Sequence, residues 1–298
     1  MSVLTGAAQI QSSWAKIVES YDRIPEAYQP LFQTLSEPGT DKFPYIILIP
    51  SYQGHLNPTE DSLIVCFDRR FYIMERHLHQ LECLCYSYSD VSYVEMGTVL
   101  LKSWITASGI SSEGFLGSFT LKFNTAKERL FTPLLEKLRP APLAAGDTDL
   151  GVEQAKFDPL EQENYKFFNY ARGSIRAGEK VIQTVLQPEL RVEVFTFLGR
   201  TFYRSICPAH ISILTDLEFI VIRDEFRTWR SGYGNIWRYI PLDKIVSVSL
   251  ARQEHDLVSL SIHLPRNEQF DLLFSSSRQG EIEAFKNQLA TLANTVRG

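Results

Sequence analysis

Along this chain, apolar and polar positions alternate in short runs with a period of two, the spacing of strands that bury one face. The runs recur. Residues 62–75 read SLIVCFDRRFYIME and residues 210–223 read HISILTDLEFIVIR. Shifted by 148 positions, Asp68 falls on Asp216 and Phe71 on Phe219. Leu63, Val65, Cys66, Ile73 and Met74 fall on Ile211, Ile213, Leu214, Val221 and Ile222. Each block predicts two strands joined at a tight turn, Asp68-Arg69-Arg70 in one and Asp216-Leu217-Glu218 in the other. Aspartate suits such a turn because its carboxylate accepts from the backbone just ahead. Self-similarity of this kind predicts duplicated modules.

Two further blocks follow in the same order. Tyr86-Ser-Tyr-Ser-Asp90 matches Tyr239-Ile-Pro-Leu-Asp243, and Phe119-Thr-Leu-Lys-Phe123 matches Phe270-Asp-Leu-Leu-Phe274. Asp90 and Asp243 are expected in turns between strands. A helix is then expected in each copy. Ser276 with Gln279 offers a capping box, and Ile282, Phe285, Leu289 and Leu292 make one apolar stripe. Thr125 with Glu128 offers the same device in the first copy, with Leu130, Leu134, Leu135 and Leu138 as the stripe. Pro133 breaks or kinks that helix unless it sits in the first turn of a shorter one. Ahead of the second barrel, residues 164–171 read as helix and 181–186 as strand, with Leu31-Phe-Gln-Thr-Leu35 as the echo in the first copy. Residues 141–160, rich in small residues, Pro, Gly and acids, have the composition of a linker. The expected domains are residues 1–140 and 161–298.

Composition narrows the class. Apolar residues make up 44% and charged residues 22%, as in a globular chain. The net charge of -5 leaves no broad basic face for nucleic acid. The longest apolar stretch is too short for a membrane-spanning helix. No secretory signal stands at the N-terminus, and Cys66, Cys83, Cys85 and Cys207 sit in strand patterns, so a reducing cytoplasm is the expected setting.

A string of about seven strands closed by one amphipathic helix, occurring twice, resembles the pleckstrin-homology superfold. The second copy resembles its bacterial branch, the PH-like and GRAM-like domains. The likeness lies in Pro208-Ala209-His210 leading into Ile211-Ser-Ile-Leu-Thr-Asp216, in Tyr233-Gly-Asn-Ile-Trp-Arg-Tyr-Ile-Pro-Leu242, and in Ile262-His-Leu-Pro265. In the first copy it rests on Asp68-Arg-Arg-Phe-Tyr72 and Phe123-Asn-Thr125. The resemblance implies a mainly β fold of two tandem PH-like β-barrels, each about seven strands closed by a C-terminal α-helix. It also implies a binding or assembly scaffold, since this superfold hosts lipid, peptide and protein binders alike.

Several candidate sites stand beside that reading. The stretch EFRTWRSGYGNIWR interleaves aromatic and guanidinium side chains around a Gly-rich turn. Arg227, Trp229, Arg230, Tyr233, Trp237 and Arg238 are its candidate binding residues, of the kinds that dominate interfaces. Packing of the aromatics on the barrel, with arginine stems covering them, is the structural alternative. Phosphoinositide-binding relatives carry several cations in the first hairpin loop. Here that loop, residues 36–42, is mostly of the wrong sign, and in the second copy Arg191, Arg200 and Arg204 are interrupted by Glu193. His77, His79, Cys83 and Cys85 are weak metal candidates, because alternation also puts Cys83 and Cys85 with Leu81 on one buried face. Cys207 and His210 suggest a dyad but read as structural. There is no phosphate loop, HExxH or nucleophile elbow, so no enzyme and no cofactor are expected. The leading expectation is a protein partner. An anionic membrane surface and small-molecule sensing in a cleft between the domains are the alternatives.

Overall fold

The computed structural model describes residues 14–35, 42–51, 61–77, 80–142, 148–225 and 234–298. The chain is mainly β and ends in a long helix. Its described residues form two compact units. One runs to Val91 and takes in Leu100–Leu138; the other comprises Ser92–Val99 and Arg139–Gly298.

The first unit begins with β1 (Lys16–Val18) and α1 (Gln29–Phe32). An antiparallel meander follows: β2 (Tyr45–Ile49), β3 (Ser62–Cys66), β4 (Arg70–His77) and β5 (Gln80–Val99). Val18, Ile46, Leu48, Leu63, Val65 and Met74 share one core with Tyr28, whose hydroxyl donates to the Asp61 carbonyl at 2.8 Å. Leu81, Cys83 and Cys85 pack on the same core, as their alternation predicts. Next come β6 (Lys102–Ser111) and β7 (Leu116–Asn124), paired antiparallel, a 3-10 turn at Thr125–Phe131 and α2 (Thr132–Leu138). Pro133 lies in the first turn of this short helix, where its missing N–H costs nothing.

Three expectations for this unit are corrected. Leu31-Phe-Gln-Thr-Leu35 is not a strand; α1 occupies its first half, and β2 plays the part expected of it. Asp90 is not in a turn but in the middle of the 20-residue β5, whose last eight residues belong to the second unit. The backbone of β6 crosses β5 at that point so closely that a Cβ on Gly109 would lie 2.6 Å from the Asp90 carbonyl oxygen. The cap of the 3-10 turn is also Asn124, whose Oδ1 accepts from the Ala126 N–H at 2.9 Å, rather than Thr125. Thr125 instead donates to the Leu100 carbonyl at 3.1 Å.

The second unit takes in the described part of the stretch expected to be a linker. There α3 (Leu150–Ala155) is capped by Asp149, and α4 (Leu160–Glu163) and α5 (Tyr165–Ser174) follow. Phe157 and Leu160 are buried, and Glu153 accepts from the Val181 N–H at 2.6 Å and from Lys156 at 2.7 Å. Small and acidic residues thus form a packed segment because two apolar anchors and one carboxylate tie it down.

From there β8 (Val181–Gln187) leads to a hairpin of β9 (Leu190–Phe197) and β10 (Arg200–Cys207). The chain then returns to pair β11 (His210–Thr215) with β8, followed by β12 (Glu218–Asp224) and β13 (Gly234–Pro241). The Ser92–Val99 part of β5 adds to β13. A separate antiparallel sheet of β14 (Ser247–Gln253), β15 (Leu257–His263) and β16 (Gln269–Ser275) precedes α6 (Gln279–Arg297). Ile282, Phe285 and Leu289 of α6 are fully buried in a core with Leu214, Phe219, Ile240, Leu260, Ile262 and Phe274, and Leu292 packs against its margin. The predicted capping box is absent, since Ser275 rather than Ser276 accepts, from the Ser277 N–H. The strand register also corrects the repeat by one residue. Phe71 faces Tyr86 and its counterpart Phe219 faces Ile240, so Tyr86 corresponds to Ile240 and not Tyr239. Among the described residues, no helix is long and apolar enough to cross a membrane.

Candidate functional site

Of the aromatic–arginine stretch, Arg227, Trp229, Arg230 and Tyr233 lie outside the described residues. Trp237 and Arg238 are on β13 and half-buried. The Trp237 ring stands edge-on to Tyr170, with centroids 5.1 Å apart. Arg238 pairs with Glu95 at 2.5 Å and lies 4.1 Å from the centre of the Phe270 ring. Both side chains are engaged within the second unit.

The histidine and cysteine candidates separate in a similar way. His79 and the His77 side chain lie outside the described residues. Burial pushes the Cys83 thiol up to about 11, with Cys85 and Glu113 nearby adding to it. Among the described residues, no group of three or more His, Cys, Asp or Glu is placed to hold a metal ion.

Cys207 and His210 do come together, with Sγ 3.8 Å from Nδ1, but their hydrogen bonds point elsewhere. Nδ1 is 3.2 Å from the Pro208 carbonyl, which can only accept, so Nδ1 carries the proton and cannot take one from the thiol. The thiol faces the Leu273 carbonyl at 3.2 Å. Burial raises Cys207 to about 12 and lowers His210 to about 4. A nucleophile must be ionised by its base, and here neither the bond nor the charge is present. One consequence is a dependence on pH. A histidine depressed from 6.5 to about 4 stabilises the fold above pH 6.5, and that contribution is lost as pH falls toward 4. His210→Phe should remove it. Between pH 6.5 and 4 the wild type should lose about 3 kcal/mol relative to the variant, measured by urea unfolding at a series of pH values. Parallel profiles would show that His210 does not titrate there.

Two features were missed by the sequence reading. The first is a buried charge cluster. Glu179 and Glu218 are both 0% exposed and meet Arg139 and Arg176. Arg139 donates through Nε to Glu218 at 3.0 Å and through a second nitrogen to the same oxygen, and it also donates to the Ser174 carbonyl at 2.8 Å. Arg176 pairs with Glu179 at 2.5 Å and donates to the Pro140 carbonyl at 2.7 Å. The Arg139 guanidinium stacks 4.0 Å from the Tyr239 ring centre. Glu218 Oε2 has no partner among the described residues. Burial pushes Glu218 up to about 7, against the pull of Arg139. The cluster joins the chain at 139–140, the end of α5 and strands β12 and β13. It is a structural lock.

The second feature is the β9–β10 hairpin, which among the described residues forms a separate two-stranded sheet. Residues 193–204 are all exposed. Leu198 and Gly199 form the turn, both with positive φ (48° and 73°), which suits the twist of a two-residue hairpin. Leu198 is 86% exposed, Phe197 62% and Tyr203 61%. Register places Phe197 opposite Arg200 and Phe195 opposite Phe202, so all four share one face. Phe195 and Phe202 stack with centroids 4.6 Å apart. Thr196 and Thr201 form the other face, their hydroxyls 3.1 Å apart. Arg191, Arg200 and Arg204, spread along strands in the sequence, are thereby gathered on one projecting arm. The string VEVFTF-LG-RTFYR shows the hairpin; its exposure is not legible there, because a strand with one apolar face reads as buried.

No family model matches this chain, and no curated protein matches it.

Proposed function

We propose that this protein is a non-catalytic binding module, built from two tandem PH-like barrels, that docks through the arm β9–β10. In the second unit, the meander of β8, β11, β12 and β13, the three strands β14–β16 and the helix α6 follow the order of that superfold. In the first copy, a run of strands from β2 to β7 likewise ends in a helix, α2. The observation that carries the docking role is the arm itself. An isolated two-stranded hairpin is marginally stable in water, and one with five exposed large apolar side chains between residues 195 and 203 is stabilised when something covers them. Its occupant is either a protein or an anionic membrane surface.

The test shortens the arm. Joining Arg191 to Ser205 through Asn-Gly removes the exposed residues and leaves β8, β11 and their core in place. The variant should keep its circular dichroism spectrum and its melting temperature within a few degrees. In lysate of the native host, the full chain should fractionate in assemblies or with membranes, well above its 34.1 kDa. The shortened chain should run as a monomer. Identical fractionation of a folded short variant would remove the arm from the function.

A further inference from the structure

We infer that the buried cluster of Arg139, Arg176, Glu179 and Glu218 is a proton-operated latch. With a proton on Glu218 it holds residues 139–140 and the loop 175–179 against β12; loss of that proton lets them lift and admits water. The latch is independent of the arm. Its two carboxylates are not equally served. Arg139 lies against Oε1 of Glu218 and 3.6 Å from Oε1 of Glu179. Arg176 lies 2.5 Å from Oε1 of Glu179 and 3.6 Å from Oε1 of Glu218. The second oxygen of Glu179 accepts from the Arg176 backbone N–H at 3.0 Å. The second oxygen of Glu218 has no partner among the described residues, and the side chain is cut off from water. A carboxylate spreads its charge over both oxygens. Leaving one of them bare in a dry site therefore costs more when the group is ionised than when it is protonated.

Only part of the cluster's surroundings can move. Glu218 is fixed from behind, because its N–H donates to the Thr215 hydroxyl and its carbonyl accepts from it. Strand β12 is paired on both sides, to β11 and β13, and Tyr239 stands on β13. Residues 139–140 and 175–179, by contrast, belong to no strand or helix. The two guanidinium groups tie them together: Arg139 donates to the Ser174 carbonyl and Arg176 to the Pro140 carbonyl. At its far end the loop is pinned to Asp216, whose carboxylate accepts from the Lys180 N–H at 2.9 Å. Gly178, just before that pin, has a φ of 87°, and glycine gives the backbone room to turn there. The charges facing Glu218 are thus Arg139 from the segment after α2, and Arg176 and Glu179 from the loop after α5. Attraction to the arginines opposes release of the ionised group, and burial opposes its ionisation. Burial prevails, holding Glu218 at about 7. A carboxyl held above its ordinary 4.5 favours the closed form below that pH, and the advantage is lost as pH rises through 7.

The experiment is hydrogen exchange of the full chain at pH 6, 7 and 8, corrected for the intrinsic rate at each pH. The reporters are the amides of Arg176 and Glu179, which donate within the loop. Their protection should fall about tenfold between pH 6 and 8. It should not respond to urea well below the unfolding midpoint, because a local opening exposes little surface. Amides of β15 report global unfolding and should stay protected through the same range of urea. Glu218→Gln keeps the shape of the side chain and cannot ionise, so it should abolish the pH dependence of the loop. Should that variant not fold, titration of the Glu218 carboxyl carbon by NMR in the wild type decides. A midpoint near 7 supports the latch, and one in the ordinary carboxylate range overturns it. Loop protection that is the same at all three pH values overturns it as well. So do loop amides that exchange only together with those of β15 and with the same urea dependence, since the cluster then stabilises the fold without opening.

Discussion

Arg139→Met should lower the stability of the protein by about 3–5 kcal/mol, read as a fall in the urea midpoint. Methionine fills much of the space and leaves the apolar contact with Tyr239, so the loss isolates the charge. Arg139 satisfies Glu218 with two hydrogen bonds and lies 3.6 Å from Glu179, and both carboxylates are cut off from water. Without it, two buried carboxylates face Arg176 alone. Burial already holds Glu218 at about 7, above its ordinary 4.5. Its ionisation therefore works against folding as pH rises: the stability present below pH 4.5 is lost through pH 7. In the variant this carboxyl is harder still to ionise, so the cost of Arg139→Met should be smaller at pH 5 than at pH 8. A cost independent of pH would mean that the lock acts through packing and not through charge. The double variant Arg139→Met with Glu218→Gln should recover part of the loss, because breaking a buried pair costs more than replacing both partners.

Phe285→Ala should cost about 3–5 kcal/mol by the same measurement. The ring is fully buried at the centre of the α6 stripe, 5.7 Å from Phe219 on β12. Alanine there opens a cavity between the helix and the strands, which close-packed neighbours fill only in part. Exposed positions of the same helix, such as Glu283, should shift the midpoint far less. If Phe285→Ala and Glu283→Ala cost the same, α6 does not close the core of the second unit.

The strands and the helix stripe were legible because they depend on local periodicity. The hairpins at Asp68 and Asp216, the alternation Phe119-Leu121-Phe123 and the buried face of α6 all follow from side-chain spacing. Where the reading slipped, the spacing was ambiguous. Tyr86 was aligned with Tyr239 by residue type, and strand pairing moves it by one. Ser87-Tyr-Ser-Asp90 looks like a turn, yet pairing and packing keep β5 extended through it, and tertiary context overrides local preference. Residues 141–160 have a linker's composition, yet 148–160 form a packed segment. Its structure is decided by Phe157, Leu160 and the Glu153 carboxylate, which meet partners far along the chain.

The candidate sites were less legible than the fold, for one physical reason. Residue type and period determine which face of a strand is apolar, and the sequence alone established that much for both copies. They do not determine what lies against that face. In β12 and β16 the apolar face meets α6 and is core; in β9 and β10 the same alternation meets nothing within the described chain and becomes an exposed arm. Charges behave alike. Arg139 and Glu218 are 79 positions apart, with nothing in either neighbourhood to mark them. Only the folded chain brings them together and takes them out of water, because burial belongs to the arrangement of elements and not to any one of them.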